Sequence, residues 1–191
     1  MQFSFTYPMA GGDHDPALAT RDGMRSVLEA AETAGFSAVG FTDHPIPSRR
    51  WLEAGGHNAL DPFAALAFCA AVTEQIRLMT NVAVVPYRNP FLLAKMVATV
   101  DVLSDGRTIL GAGTGYLRAE YRALGVEFDE RNELFDEALD TILAVWSGDE
   151  VTFEGRHFMA SSNQAHPEPV QQPHPPIWIG GNSGRARQRV A

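Results

Sequence analysis

Residues 31–45 read AETAGFSAVGFTDHP. Gly35 is a helix stop. Residues 38–42 form a short apolar strand, and the run ends on Asp43, His44 and the halting Pro45. Upstream, Thr20 can cap a helix that puts Met24, Val27, Leu28 and Ala31 on one face. An amphipathic helix thus feeds a continuous apolar strand, and such a strand is covered on both faces.

The same unit recurs along the chain. Phe3 to Tyr7 precedes the first helix as a strand. Asp61-Pro62 opens a helix with Phe63, Leu66, Ala67 and Ala70 at helical spacing. Ile76 to Val85, IRLMTNVAVV, is an apolar strand interrupted by Thr80-Asn81. Phe91 to Leu103 is helical, Thr108 to Ala112 is a strand, and Arg131 to Trp146 is a long helix. EVTFEGRHF at 150–158 predicts a small hairpin, and a polar loop follows through 159–176. IWIGG at 177–181 is a fifth strand leading into a fifth helix. Strand and helix alternate five times without a linker, which predicts one α/β domain over residues 1–191 with a parallel sheet. Periodicity leaves two architectures open: a doubly wound open sheet, or the first five units of an eight-unit barrel. Both put function at the C-terminal strand ends, where Asp43-His44, Asn81, Gly113-Thr114-Gly115 and the 180–184 GGNSG turn fall.

Composition narrows the partners. Of 191 residues, 15 are basic and 23 acidic, a net charge of −8. Binding to nucleic acid or an anionic membrane surface needs clustered Lys and Arg, so neither is expected. One cysteine, Cys69, sits in AALAFCAAV and reads as a packed core thiol. A single cysteine forms no internal disulfide and fits a cytoplasmic protein. MQFSFTYP lacks the basic start and apolar stretch of a signal peptide. No apolar run approaches the roughly 18 residues of a membrane span.

Several residues carry chemistry. His44 titrates near neutrality and can exchange a proton, and Asp43 can orient it or hold a substrate; a strand-end histidine satisfied by local backbone is the plain alternative. The GGNSG turn, followed by a helix start with Arg185 and Arg187, is a credible phosphate site, although glycines also make ordinary strand-to-helix turns. GAGTG at 111–115 only approximates a dinucleotide fingerprint, which follows a first strand rather than a fourth. Asn81 is either a satisfied core amide or a bulge, or a point of strained backbone that shapes a ligand surface. His14, His57, His157, His166 and His174 lack zinc-site spacing, so no metal is expected; His157 to His174 read as solvated surface. Trp146 reads as core, while Trp51 and Trp178 are ambiguous.

Four ordered blocks, GFSAVGFTDHP (35–45), IRLMTNVAVVPYRNP (76–90), LSDGRTILGAGTGYLRAEYRALGVEFDER (103–131) and PPIWIGGNSGRA (175–186), resemble the bacterial luciferase-like family of flavin and deazaflavin oxidoreductases. The resemblance is nearest to the branch using coenzyme F420. It implies a (β/α)8 TIM barrel, of which this chain holds about the first five βα units, and a homodimer. It implies hydride transfer to or from a small organic substrate. FMN-dependent monooxygenase chemistry on O2, or a truncated non-catalytic flavin-binding protein, are the alternatives. By this resemblance His44 serves as base or hydrogen-bond partner at the ring's reactive carbon, and Asp43 as the acid that helps place the ring. Asn81-Val82 matches a non-prolyl cis peptide behind the ring. Gly181, Asn182 and Ser183 match the cofactor-phosphate turn, and Thr114 a phosphate or ring contact. The sugar-phosphate dehydrogenase branch has an acid where this chain has Tyr116 and a tryptophan where it has Ser48, so that substrate is not implied.

Overall fold

The computed structural model describes residues 1–9, 14–148 and 150–190. Its strands are β1 (Ser4–Thr6), β2 (Ala38–Phe41), β3 (Arg77–Thr80), β4 (Ala83–Val84), β5 (Thr108–Gly113), the hairpin β6 (Val151–Glu154) and β7 (Met159–Asn163), and β8 (Ile177–Ile179). Its helices are α1 (Arg21–Thr33), α2 (Arg49–Glu53), α3 (Pro62–Val72), α4 (Pro90–Leu103), α5 (Arg118–Ala123), α6 (Arg131–Trp146) and α7 (Gly184–Gln188).

The two helix starts expected from sequence are present: Thr20 accepts from the Gly23 N–H, and Asp61 from the Ala64 N–H. Each satisfies one of the N–H groups that a helix leaves free at its start. Two short helices, α2 and α5, lie in segments expected to be loop. The long loop after the hairpin begins instead as β7, which pairs antiparallel with β6.

Every pairing in the main sheet is parallel. β1 pairs with β2, β2 with β3, and β8 with β5. β3 and β4 lie along the same edge of β5. Leu78 and Met79 face Thr108 and Ile109, while Ala83 and Val84 face Ala112 and Gly113. Three residues (80–82) therefore oppose two (110–111), so β3 and β4 are one strand interrupted by a bulge. Spatial order thus follows chain order, β1, β2, β3/β4, β5, β8. The helices keep the same succession: α1 packs on α3, α3 on α4, and α4 on α6. A doubly wound sheet reverses strand order at a switch point. The absence of that reversal among the described residues makes this the barrel type, five βα units long, with β1 and β8 as open edges rather than a closed ring.

The core runs continuously under this arc. Leu28, Val39, Leu66, Cys69 and Leu78 form its first part, and Leu93, Val97, Leu110, Phe135 and Ile142 its second, all without exposed surface. Cys69 is thus a packed thiol, as expected, and Trp146 is buried. At the N-terminal strand ends, Glu32 accepts from the N–H groups of Glu74, Gln75 and Ile76. Arg107 there donates to the carbonyls of Thr73, Ile76 and Ser104. These ties hold the end of the sheet opposite the site. Among the described residues no helix is long and apolar enough to cross a membrane.

Candidate functional site

A cleft of about 520 Å³ opens over the C-terminal ends of β2, β3/β4, β5 and β8. The bulge forms its floor. The Asn81–Val82 peptide is cis. The Asn81 N–H donates to the Phe41 carbonyl at 2.6 Å, and its side-chain amide donates to Thr6 Oγ1 at 2.7 Å. Thr80 Oγ1 donates to the Gly111 carbonyl at 2.7 Å.

Glycines on the flanking strands make room for this bulge. A Cβ at Gly113 would stand 2.7 Å from Val82 Cγ2. One at Gly180 would stand 2.9 Å from Val82 Cγ1, and one at Gly40 2.8 Å from Asn81 Cβ. The glycines of GAGTG therefore seat the neighbouring strand, which explains why they match a dinucleotide fingerprint poorly.

Asp43 and His44 leave β2 in opposite roles. Asp43 is 3% exposed. Its carboxylate accepts the Val84 N–H at 2.8 Å and both guanidinium nitrogens of Arg88, Nη1 to Oδ2 at 2.5 Å and Nη2 to Oδ1 at 3.0 Å. Arg88 also reaches Asp61 at 3.2 Å. Asp43 thus ties the end of β2 to the restart of the bulged strand while lining the cleft beside it.

His44 lies in the cleft wall. Its Nδ1 is 3.2 Å from Oε2 of Glu120, which has no exposed surface and also accepts from the Tyr87 hydroxyl (3.1 Å) and the Ile46 N–H (3.3 Å). The Trp51 ring lies 4.6 Å from the His44 ring, His57 packs edge-on at 4.9 Å, and Tyr116 stands at 6.2 Å. His57 pairs with the Thr42 hydroxyl at 3.1 Å. Burial, then the neighbouring His44, lowers the His57 pKa. Burial, followed by the charge of Glu120, raises those of Tyr87 and Tyr116.

The other sequence candidates distribute unevenly. Asn81, Val82, Thr114 and Gly181 line the cleft with Asp43 and His44; Asn182 and Ser183 fall outside its lining. The Ser183 hydroxyl accepts from the Ala186 N–H and caps α7, and Gly181 has φ +118°, a conformation that favours glycine. The Thr114 carbonyl accepts from the Tyr121 hydroxyl. Arg185, read as phosphate-directed charge, is engaged by Asp136 and Glu133. His157 and His174 are half-buried rather than solvated; the His174 ring stacks on Trp146 at 5.9 Å. Glu120, Tyr87, Arg88 and His57 were not singled out from sequence, although they surround Asp43 and His44.

The cleft can take a flavin-type ring. Its size lies within the range of small-molecule and cofactor sites. Gly113, Gly115, Gly180 and Gly181 present backbone rather than side chains on one wall. His44, Thr42 and Tyr116 add polar groups to the lining.

A parallel (β/α) barrel arc, with a bulge and a histidine facing a cleft at its C-terminal rim, is an enzyme-type site. The chain belongs to the luciferase-like monooxygenase family, whose model matches residues 1–191. It is 37% identical over 167 residues to an F420-dependent glucose-6-phosphate dehydrogenase of Microbacterium testaceum, covering 84% of this chain and 47% of that protein. It is 28% identical over 174 residues to an FMNH2-dependent dimethylsulfone monooxygenase of Pseudomonas putida, covering 89% and 46%. The crystal structure of the monooxygenase RslO1 from Streptomyces bottropensis superposes with a TM-score of 0.82 at 29% identity, covering 94% of this chain and 53% of that one. The chain spans about half the length of the curated relatives it matches. Of these, the Microbacterium testaceum protein is F420-dependent and the Pseudomonas putida protein FMNH2-dependent.

Proposed function

We propose that this chain carries the cofactor cleft and the proton-handling histidine of a deazaflavin (F420)-dependent oxidoreductase acting on a small organic substrate. The observation that carries the reading is His44: it lines the cleft, its Nδ1 is engaged from behind, and its Nε2 has no protein partner among the described residues.

Bound F420 supplies hydride chemistry. The chain's own residues do the rest. The bulge at Asn81-Val82, which lines the cleft, would support the ring. Thr114 and Gly181 in the lining, with Asn182 and Ser183 just beyond it, would hold the cofactor's phosphate end. Asp43, held by Arg88, fixes the strand end that carries His44. Nε2 of His44 then takes or returns the proton that accompanies hydride transfer. Higher identity to the F420-dependent relative than to the FMNH2-dependent one supports the choice of cofactor.

The test is titration of the protein with F420 and with FMN, followed by ring fluorescence. F420 binding is expected. FMN binding without F420 binding overturns the deazaflavin assignment and favours an FMN-dependent monooxygenase, the reading that the likeness to the FMNH2-dependent dimethylsulfone monooxygenase supports. A folded protein that binds neither is the non-catalytic alternative. His44→Ala should bind cofactor normally and lose hydride transfer by about 10²–10⁴-fold; unimpaired transfer removes His44 from the chemistry.

A further inference from the structure

Glu120 is fully buried, and no lysine or arginine among the described residues pairs with it. A buried carboxylate without compensation is costly. Its compensation here is three donors: the Ile46 N–H, the Tyr87 hydroxyl and His44 Nδ1. The first two are neutral. Tyr87 stays a neutral donor, because burial and then the charge of Glu120 push its pKa well above the ordinary phenol value. His44 is the one partner that can become a cation. Of the other groups facing His44, Trp51, His57 and Tyr116 carry no negative charge, and the adjacent Asp43 carboxylate is taken up by Arg88. Asp61, which shares a small cavity with His44, is likewise paired with Arg88, so among the described residues Glu120 is the carboxylate in direct contact with the His44 ring.

A carboxylate accepts only, so Nδ1 must carry a hydrogen to face it. On a neutral imidazole that leaves the lone pair on Nε2, the nitrogen without a protein partner. We propose that Glu120 is the positioning residue for His44: it fixes the Nδ1–H form, aims the Nε2 lone pair at the cleft, and balances the imidazolium charge when Nε2 takes up a proton. The catalytic part rests on the hydride-transfer reading above; the positioning part stands without it. In the direction of alcohol oxidation, the substrate O–H bond breaks and its proton forms an N–H bond at Nε2. The C–H bond breaks with its electron pair, and that hydride goes to the deazaflavin-class acceptor. Glu120 neither gains nor loses a proton, and its bond to Nδ1–H strengthens as the ring charges.

The first measurement is the ¹⁵N spectrum of histidine-labelled, cofactor-free protein at pH values where the His44 ring is neutral. The expected form has hydrogen on Nδ1 and none on Nε2. The opposite tautomer in the wild-type protein overturns the proposal, and so does Glu120→Leu leaving the Nδ1–H form unchanged; a shift towards Nε2–H in Glu120→Leu supports it. Glu120→Gln keeps the volume and one acceptor but removes the charge, so it serves where the Leu variant does not fold. It should keep cofactor affinity and KM and lose turnover by about 10²-fold. Turnover within about threefold of wild type overturns the charge-balancing role. Failure of the protein to bind any cofactor defeats the hydride-transfer reading alone, because the tautomer spectra still decide the positioning role.

Discussion

Arg88 grips the Asp43 carboxylate edge-on, one guanidinium nitrogen to each oxygen, with the two side chains 15% and 1% exposed. Planar two-point pairing is the strong form of this contact. The aspartate beside the candidate base is thereby committed to holding two strand ends together. Removing one partner of such a buried pair leaves an uncompensated charge and costs about 3–5 kcal/mol. Arg88→Met and Asp43→Asn should each lower the unfolding free energy by an amount in that range. The double variant should lose less than the sum of the two, since neither charge is then stranded. Urea unfolding of the four proteins checks this; full additivity means the pair does not couple.

Val82 occupies space that Gly113 and Gly180 leave free. Alanine at 113 would put its Cβ 2.7 Å from Val82 Cγ2, closer than carbon atoms pack. Overpacking of this kind costs about 1–3 kcal/mol. Gly113→Ala should destabilise the protein by that much and weaken cofactor binding, because the bulge must shift. Adding Val82→Ala should recover stability, and thermal unfolding of the single and double variants reads it directly. A Gly113→Ala protein as stable as wild type would mean the glycine does not seat the bulge.

The long elements were legible as apolar runs bounded by caps and stops: α1 buries Met24, Leu28 and Ala31, and α3 buries Phe63, Leu66 and Ala70, from the faces their spacing marked. The choice between barrel and open sheet was not, since it depends on the spatial order of strands that period cannot carry. α2 and α5, at five and six residues, are shorter than the window in which a helical period can be counted. Asp43, His44, Asn81 and Val82 stood out because polar residues broke apolar strands or matched the family blocks. Glu120 lies inside the 103–131 block but interrupts no apolar strand. A glutamate in a polar helical segment normally faces water, and the partners that meet it when buried, His44, Ile46 and Tyr87, are distant in the chain.

Cys69 should be silent in the native protein. It is fully buried, and that burial pushes its thiol up to about 12. At pH 8 only about one molecule in 10⁴ would carry the reactive thiolate. Labelling with an aromatic disulfide should proceed at the rate of unfolding and accelerate in urea with it. Rapid labelling of a protein that keeps its native circular dichroism would mean the helix α3 face opens locally.

His57 sets a pH dependence whose sign follows from its environment. Burial, and after it the nearby His44, lowers its pKa from the ordinary 6.5. The unfolded chain then binds the proton more readily than the folded one, so stability rises with pH across the interval between the two values. The contribution is complete above about pH 6.5 and is lost as the pH falls through that point towards the lower folded value. His57→Asn keeps a polar partner for Thr42 but cannot titrate. Its urea midpoint should decline less than that of wild type between about pH 7 and pH 5, with the two curves running parallel above pH 7. An unchanged acid slope would mean that His57 takes up its proton equally in the folded and unfolded chains. Because His57 packs edge-on against His44 at 4.9 Å, its protonation would also bring a positive charge beside the candidate base. Wild-type hydride transfer should therefore fall on the acid side more steeply than that of His57→Asn, and stopped-flow rates across the same pH range measure the difference.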